Sequence, residues 1–261
     1  MSKQNCRIAG LQMISGPRVP DNLATAARLI EEAVGQGAQL VVLPEYFPII
    51  GALDAERVRA REDFGHGPIQ SWLAEMAQRH GIWIFAGSLP LTAASPDKMR
   101  NACLVFNPAG ECVARYDKIH LFGFKKGDES YDEASFIEPG DQPVAVDTPF
   151  GRVALSICYD LRFPVWMRNQ NEYDCAIVVA NWPEKRSFAW KQLLTARAIE
   201  NQSFVVGVNR IGKDGNDITY SGDTVVLDPF GKKISKTKSA TENIETVKLD
   251  FDVLENARHI F

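Results

Sequence analysis

Gly151-Arg-Val-Ala-Leu-Ser-Ile-Cys158-Tyr-Asp-Leu-Arg-Phe-Pro164 is the stretch from which the rest of the chain can be read. Val153 to Ile157 is a short apolar run with β-branched residues, the pattern of a buried strand. The run stops at Cys158. Asp160 can cap a new segment there, and Pro164 suits a first helical turn, where its missing N–H costs nothing. A thiol at such a corner has the N–H groups of the next turn aimed at whatever the sulfur attacks. The plain alternative is a small buried hydrophobe, the common fate of a free cysteine. Taken alone, the pattern leaves both readings open.

The 261 residues suit one α/β domain spanning 1–261. Apolar residues at 45% and charged residues at 24% are ordinary for a soluble globular chain. A formal net charge of -4 gives no general electrostatic case for nucleic acid or an anionic membrane. No apolar run approaches the roughly 20 residues of a membrane span, and the first residues lack the apolar core of a secretory signal. The cysteines (6, 103, 112, 158 and 175) are odd in number and show no CxxC spacing. A disulfide framework is therefore not expected, and a reducing cytoplasm is. The scattered histidines 66, 80, 120 and 259 do not join the cysteines at zinc-ligand spacing.

Reading outward, Arg7 to Met13 is a first strand, and Asp21 or Asn22 caps a helix to Val34. Gln39-Leu-Val-Val-Leu43 is nearly all apolar, so it belongs in a sheet covered on both faces. Asp54 to Asp63 reads as a solvated surface helix or loop, Ile69 to Gln78 as a helix and Ile82 to Leu89 as a strand. Pro90 to Arg100 reads as a loop. Asn101–Phe106 and Glu111–Tyr116 flank Asn107-Pro-Ala-Gly110, a turn with Pro second and Gly fourth, hence a hairpin. Gly123 to Gly140 is a long polar loop. Val144–Asp147 and Arg152–Ile157 form a second hairpin. Val165 to Asn171 is read as helical, Cys175–Ala180 as a strand, Ser187–Asn201 as a helix and Phe204–Val208 as a strand. Asp223–Leu227 and Lys232–Ser235 form a hairpin around Asp228-Pro-Phe-Gly231. Thr246–Phe251 is a last strand. The natural packing is two mixed sheets with helices outside.

Glu45, Lys118 and Cys158 each follow an apolar strand, and sites in α/β sheets collect beyond strand carboxyl ends. Glu45 sits among apolar residues, where lost solvation would raise its pKa and suit it to acid–base work; an ion pair or helix cap is the alternative. Most lysines in Lys118's position are simply solvated. Together the three make a chemical unit. Lys118 would lower the thiol pKa and, with an N–H near Tyr159, stabilise an oxyanion. Glu45 would take the thiol proton, give it to the leaving amine and then activate water. Acyl transfer from an amide or nitrile carbon through a thioester is the expected reaction, with no cofactor and no metal. His120 offers a competing Cys–His arrangement.

Leu43-Pro-Glu45, Tyr116-Asp-Lys118-Ile-His-Leu and Ile157-Cys158-Tyr-Asp-Leu-Arg-Phe-Pro164, in that order, resemble the signature segments of the nitrilase (carbon–nitrogen hydrolase) superfamily. The resemblance spans almost the whole chain. It implies an α-β-β-α sandwich of two mixed sheets with helices outside and a catalytic triad of Glu45, Lys118 and Cys158. It also implies a second glutamate from the following loop, Glu133 or the nearby Glu129. Phe163-Pro-Val-Trp166-Met-Arg-Asn169, Val179-Ala-Asn181-Trp182-Pro183, Leu194-Thr-Ala-Arg197-Ala-Ile-Glu200-Asn201 and Asn209-Arg-Ile-Gly-Lys-Asp-Gly-Asn216 are similar to the bacterial omega-amidase branch. That branch hydrolyses the terminal amide of 2-oxoglutaramate or 2-oxosuccinamate, products of glutamine transamination linked to methionine salvage.

A small anionic amide substrate calls for a cationic or N–H-rich clamp. Arg186 and Lys125 or Lys126 are candidates, with Tyr159, Asn181 and Trp182 beside them; Arg162 reads as a structural partner of Asp160. Superfamily relatives commonly pair through the helices flanking the nucleophile, which implies a homodimer. The alternatives are deaminated glutathione amidase or nitrilase activity on the same triad, or a non-catalytic binding or scaffold protein on the same fold.

Overall fold

The computed structural model of the chain describes residues 5–127, 129–170 and 172–260; the side chains of Lys126 and Glu129 lie outside the described residues. Two mixed sheets lie face to face. The first contains β1 (Cys6–Gln12), β2 (Leu40–Val42), β3 (Trp83–Phe85), β4 (Leu89–Thr92), β5 (Met99–Phe106), β6 (Cys112–Asp117) and β16 (Asn243–Leu249). Its order is β16-β1-β2-β3-β5-β4, with β6 also on β5. The pairs β1/β2 and β2/β3 are parallel, and β16 closes the far side antiparallel, Cys6 opposite Leu249.

The second sheet runs β15 (Val225–Leu227), β12 (Phe204–Asn209), β11 (Cys175–Ala180), β10 (Gly151–Ile157), β9 (Ala145–Thr148). Its three central strands are parallel, Val153 opposite Cys175 and Cys175 opposite Phe204. Parallel strands covered on both faces must be apolar on both, and β11 and β12 are buried at every position.

Period-2 alternation sorts these residues into layers. Leu40 and Val42 point inward with Phe85, Leu155, Ile157, Ile177, Val179 and Val206, filling the space between the sheets. Val41 and Leu43 point outward onto Leu29 and Ile30 of α1 (Val19–Gly35) and Leu73 and Met76 of α3 (Pro68–His80). Ala176, Val178 and Val205 point the other way, onto Trp190, Leu194 and Ala198 of α4 (Ser187–Asn201). The layering is thus α-β-β-α, as the resemblance implies. Among the described residues, no helix is long and apolar enough to cross a membrane.

Several elements differ from the sequence reading. Pro90 lies inside β4; proline is tolerated there because β4 is an edge strand. The polar loop after residue 123 begins as a hairpin of β7 (Gly123–Lys126) and β8 (Glu129–Asp132), carried by Phe124 and Tyr131 opposite one another and by Gly127 at φ 60. Asp128, in that turn, lies outside the described residues. The helix expected over 165–171 is absent among the described residues, which exclude Asn171. Asn169 instead accepts the Glu172 and Tyr173 N–H groups on its side chain, a local bond that competes with helix.

Asn22 does not cap α1; its amide turns back to Gly16 and Pro48. Lys232–Ser235 keeps the Asp228–Gly231 turn but pairs with β15 only at a bridge, Leu227 opposite Lys233. Of the helix or loop expected over 54–63, the structure has the helix, α2 (Asp54–Arg59); two further elements went unread, the hairpin of β13 (Ile211–Lys213) and β14 (Thr219–Ser221), and α5 (Phe251–Ile260). Phe251, Leu254 and Ala257, all buried, carry the helical spacing of α5.

Gly87, at φ 57, packs directly beneath the end of β2: a Cβ there would stand 2.0 Å from the Pro44 carbonyl oxygen. Backbone cannot yield as a flexible side chain can. Gly87→Ala should therefore cost at least about 2 kcal/mol in urea unfolding, from left-handed strain plus displacement of residues 43–45. Unfolding free energy within about 0.5 kcal/mol of wild type would contradict this packing.

Candidate active site

Each of the three strand ends is built to hold its side chain. Leu43 N still donates to Phe85 O at 3.0 Å, extending β2 by one residue. Beyond Glu45, Tyr46 takes φ 49, unusual for a non-glycine residue, and its N–H is caught by Ser88 Oγ at 3.0 Å. Lys118 follows β6; its N–H donates to Asn101 O and its carbonyl accepts from Gly140 N, both at 2.9 Å. Cys158 ends β10 at φ 49 and opens a 3-10 turn, Cys158–Arg162. The Tyr159 N–H lies in the first turn, where helical geometry supplies no acceptor.

The fold brings these side chains together. Lys118, 1% exposed, places its Nζ 3.2 Å from Glu45 Oε1 and 2.9 Å from the Glu133 carboxylate. Glu45 also accepts from Asn101 Nδ2 at 2.8 Å and from the Asn181 N–H at 2.7 Å. Three donors thus replace the water this carboxylate has lost. Glu133 also accepts from Phe122 N at 2.7 Å, on Oε2. The Asn181 N–H also faces the Cys158 sulfur.

Electrostatics follow from this crowding. Burial works to discharge Lys118, but Glu133 and Glu45 outweigh it and hold the ammonium well above its ordinary pKa. Burial raises the Glu133 carboxyl, Lys118 opposes it, and Glu45 adds to the rise. Burial, followed by the Glu45 charge, also pushes the Cys158 thiol well above its usual range. Lys118 does pull the thiol down, as its proximity requires, but it is outweighed. The lowering expected of Lys118 is present but outweighed, so attack at the sulfur calls for a base such as Glu45.

Glu45, Glu133 and Cys158 line a cavity of about 350 Å³, together with Tyr159, Asn181, Trp182 and Arg186. The Arg186 guanidinium lies 4.9 Å from the Phe122 ring centre and 5.8 Å from that of Phe124, with no ion pair among the described residues. Lys125 is exposed and does not line the cavity. Lys126 and Glu129 carry no comparison, their side chains being outside the described residues.

Arg162 is not paired with Asp160. It lies over the Trp182 ring at 5.1 Å and lines the cavity, while Asp160 is taken by other donors. His120, the Cys–His candidate, gives its Nδ1 to Asp160 at 2.8 Å and stacks on Phe163 at 3.6 Å. It belongs to the wall behind the nucleophile.

Some lining residues left no signal in the sequence. Arg57, on α2, is buried against Tyr46 and Phe136 and ion-paired to Asp54. Only the Asp54/Arg57 spacing within an apparently solvated segment hinted at it. Tyr46 and Asn181 line the same cavity, and the Tyr46 hydroxyl and Asn181 Oδ1 are buried with no hydrogen-bond partner among the described residues.

Comparison with known proteins places this geometry. Residues 7–259 match the family model described as Carbon-nitrogen hydrolase. The omega-amidase YafV of Escherichia coli (strain K12) is 38% identical, covering 93% of this chain and 88% of that protein. The deaminated glutathione amidase of Yersinia enterocolitica is 34% identical, covering 98% and 94%. The crystal structure of XC1258 from Xanthomonas campestris, a CN-hydrolase superfamily protein with an arsenic adduct in its active site, superposes with a TM-score of 0.87. It is 33% identical, covering 99% of this chain and 95% of that one. A match over nearly every residue, with a buried lysine bridging the two glutamates that line one cavity with the cysteine, makes this chain a member of the carbon–nitrogen hydrolase family, an enzyme that hydrolyses carbon–nitrogen bonds.

Proposed function

We propose that the chain is an omega-amidase that hydrolyses the terminal amide of a small 2-oxo acid, 2-oxoglutaramate or 2-oxosuccinamate, with Cys158 as nucleophile. The observation that carries the chemistry is the buried Lys118 ammonium shared between Glu45 and Glu133 beside the thiol. As the sulfur attacks the amide carbon, its proton passes to Glu45. The carbonyl oxygen becomes an oxyanion facing Lys118 Nζ and the Tyr159 N–H. Collapse breaks the C–N bond, and Glu45 returns the proton to the nitrogen, releasing ammonia. Glu45 then deprotonates water, which cleaves the thioester and restores the thiol. Glu133 holds Lys118 from its other side, so the ammonium stays put while Glu45 cycles through its protonated form.

Arg186 takes the substrate carboxylate, packed beside Phe122 and Phe124 and unpaired among the described residues. Asn181, Trp182 and Tyr159 complete the walls. Deaminated glutathione amidase activity is the second reading, favoured by the relative of that name covering 98% of the chain. Pairing into a homodimer is favoured by exposed apolar side chains around the nucleophile turn and α4, Val165 at 87% and Phe188 at 77%.

Both amides yield 2-oxoglutarate, so its rate of release compares the two substrates with one readout. The omega-amidase reading expects a higher kcat/KM for 2-oxoglutaramate; a higher value for deaminated glutathione would overturn it. Cys158→Ala should abolish turnover at an almost unchanged Tm, and Glu45→Gln should lower kcat on the order of 10² to 10⁴-fold. Wild-type rates in either variant would reject the mechanism. Light scattering should give twice the 29.0 kDa chain mass, and a monomer would contradict the pairing.

A further inference from the structure

Asp160 is wholly buried two residues beyond the nucleophile, and the proposed mechanism leaves it without a task. Its carboxylate is nevertheless the most heavily used acceptor in this part of the fold. Oδ2 accepts from Ile157 N at 2.9 Å and from the Tyr116 hydroxyl at 2.7 Å. Oδ1 accepts from His120 N at 2.9 Å and from His120 Nδ1 at 2.8 Å. Ile157 adjoins Cys158. Tyr116 and His120 stand two residues before and two residues after Lys118. The same carboxylate therefore grips the nucleophile's turn and both sides of the lysine.

Such a grip is needed because neither segment fixes the other by backbone pairing. Lys118 leaves β6 in the first sheet, and Cys158 leaves β10 in the second. Cys158 also holds a left-handed φ of 49, a conformation that costs energy unless its surroundings over-determine it. The bond from Ile157 N to Asp160 closes that turn from within. From the far side, the buried Arg197 on α4 donates to Leu161 O at 2.7 Å, so the turn is held at two successive residues. His120 is itself immobilised, stacked on Phe163 and edge-on to Trp166 at 5.6 Å.

We propose that Asp160 is a positioning residue that sets the register between the Cys158 thiol and the Lys118 ammonium across the two sheets. The proposal rests on the triad mechanism above. Both oxygens face two donors each, so an amide in place of the carboxylate must set an NH2 group against donors on one side. A 1 Å error between reacting groups is enough to cost on the order of 10²-fold in rate. Substrate contacts lie elsewhere in the cavity, so the loss belongs in kcat.

The test pairs kinetics with alkylation of Cys158 by iodoacetamide, followed by mass spectrometry of its peptide across a pH series. In wild type the thiol is protonated at neutral pH, so alkylation should climb roughly tenfold per pH unit through that range. Asp160→Asn should lower kcat on the order of 10²-fold with KM within about twofold. It should also move the alkylation profile to higher pH, because a displaced Lys118 no longer pulls the thiol down. Tyr116→Phe, which removes one donor and leaves the carboxylate intact, should show the same kcat-only loss at a smaller size, on the order of 10-fold, and remains informative if Asp160→Asn does not fold. Adding either substitution to Lys118→Met should bring little further loss in kcat, since the lysine through which both act is already gone. An unmoved profile, a loss confined to Tm, or fully additive losses would overturn the role of Asp160. An unmoved profile and rate in Lys118→Met alone would instead overturn the triad reading on which it stands.

Discussion

A lysine ammonium sunk between two carboxylates is the constraint on which the rest of this site depends. Lys118 Nζ bridges Glu45 and Glu133 out of contact with solvent, and removing one partner of such a cluster leaves an uncompensated buried charge costing about 3–5 kcal/mol. The arrangement is therefore not a stability device that any apolar trio could replace without loss of purpose. It keeps a cation fixed beside a thiol while holding a base within reach. Burial and the two carboxylates outweigh the lysine at the sulfur and hold the thiol pKa well above its usual range.

The two sheets exist, in functional terms, to bring that cluster together. The lysine and Glu45 come from one sheet, the cysteine from the other, and Glu133 from the turn after the β7–β8 hairpin. The apolar faces between the sheets fix their separation, and the outer helices cover what remains. At the joint, backbone exceptions replace regular structure: left-handed Tyr46 and Cys158, and Gly87 pressed against Pro44. Strain of this kind persists where the surroundings over-determine it, and Ser88, Asp160 and Arg197 are the groups that do so here.

The layers, and the meeting of Glu45, Lys118 and Cys158, were legible because they rest on strong local signals. Apolar runs such as Leu40–Leu43 and Cys175–Ala180 have one natural home, and each chemically distinctive residue follows such a run. Glu133 was legible only through the family resemblance; nothing in its own neighbourhood separates it from Glu129. What stayed hidden depends on tertiary contact. Arg57 looked solvated because nothing local shows that Tyr46 and Phe136 close over it. Arg162 was assigned to Asp160 on nearness in sequence, whereas the fold gives Asp160 to Tyr116 and His120, 44 and 40 residues away. The helix expected after Pro164 was lost to the side chain of Asn169, a competition that periodicity does not register. The β7–β8 hairpin was masked by its charge, although Phe124 and Tyr131 mark its paired faces.

If sulfur, ammonium and carboxylate act as one unit, the acyl group must spend part of each turnover covalently bound to the enzyme. Mixing the protein with 2-oxoglutaramate, quenching in acid within the first turnover and weighing the intact chain tests this most directly. The account predicts a mass increase equal to one 2-oxoglutaryl group, mapped by digestion to the peptide carrying Cys158 and absent without substrate. Full turnover with no acyl adduct at any quench time, or an adduct on another residue, would contradict it.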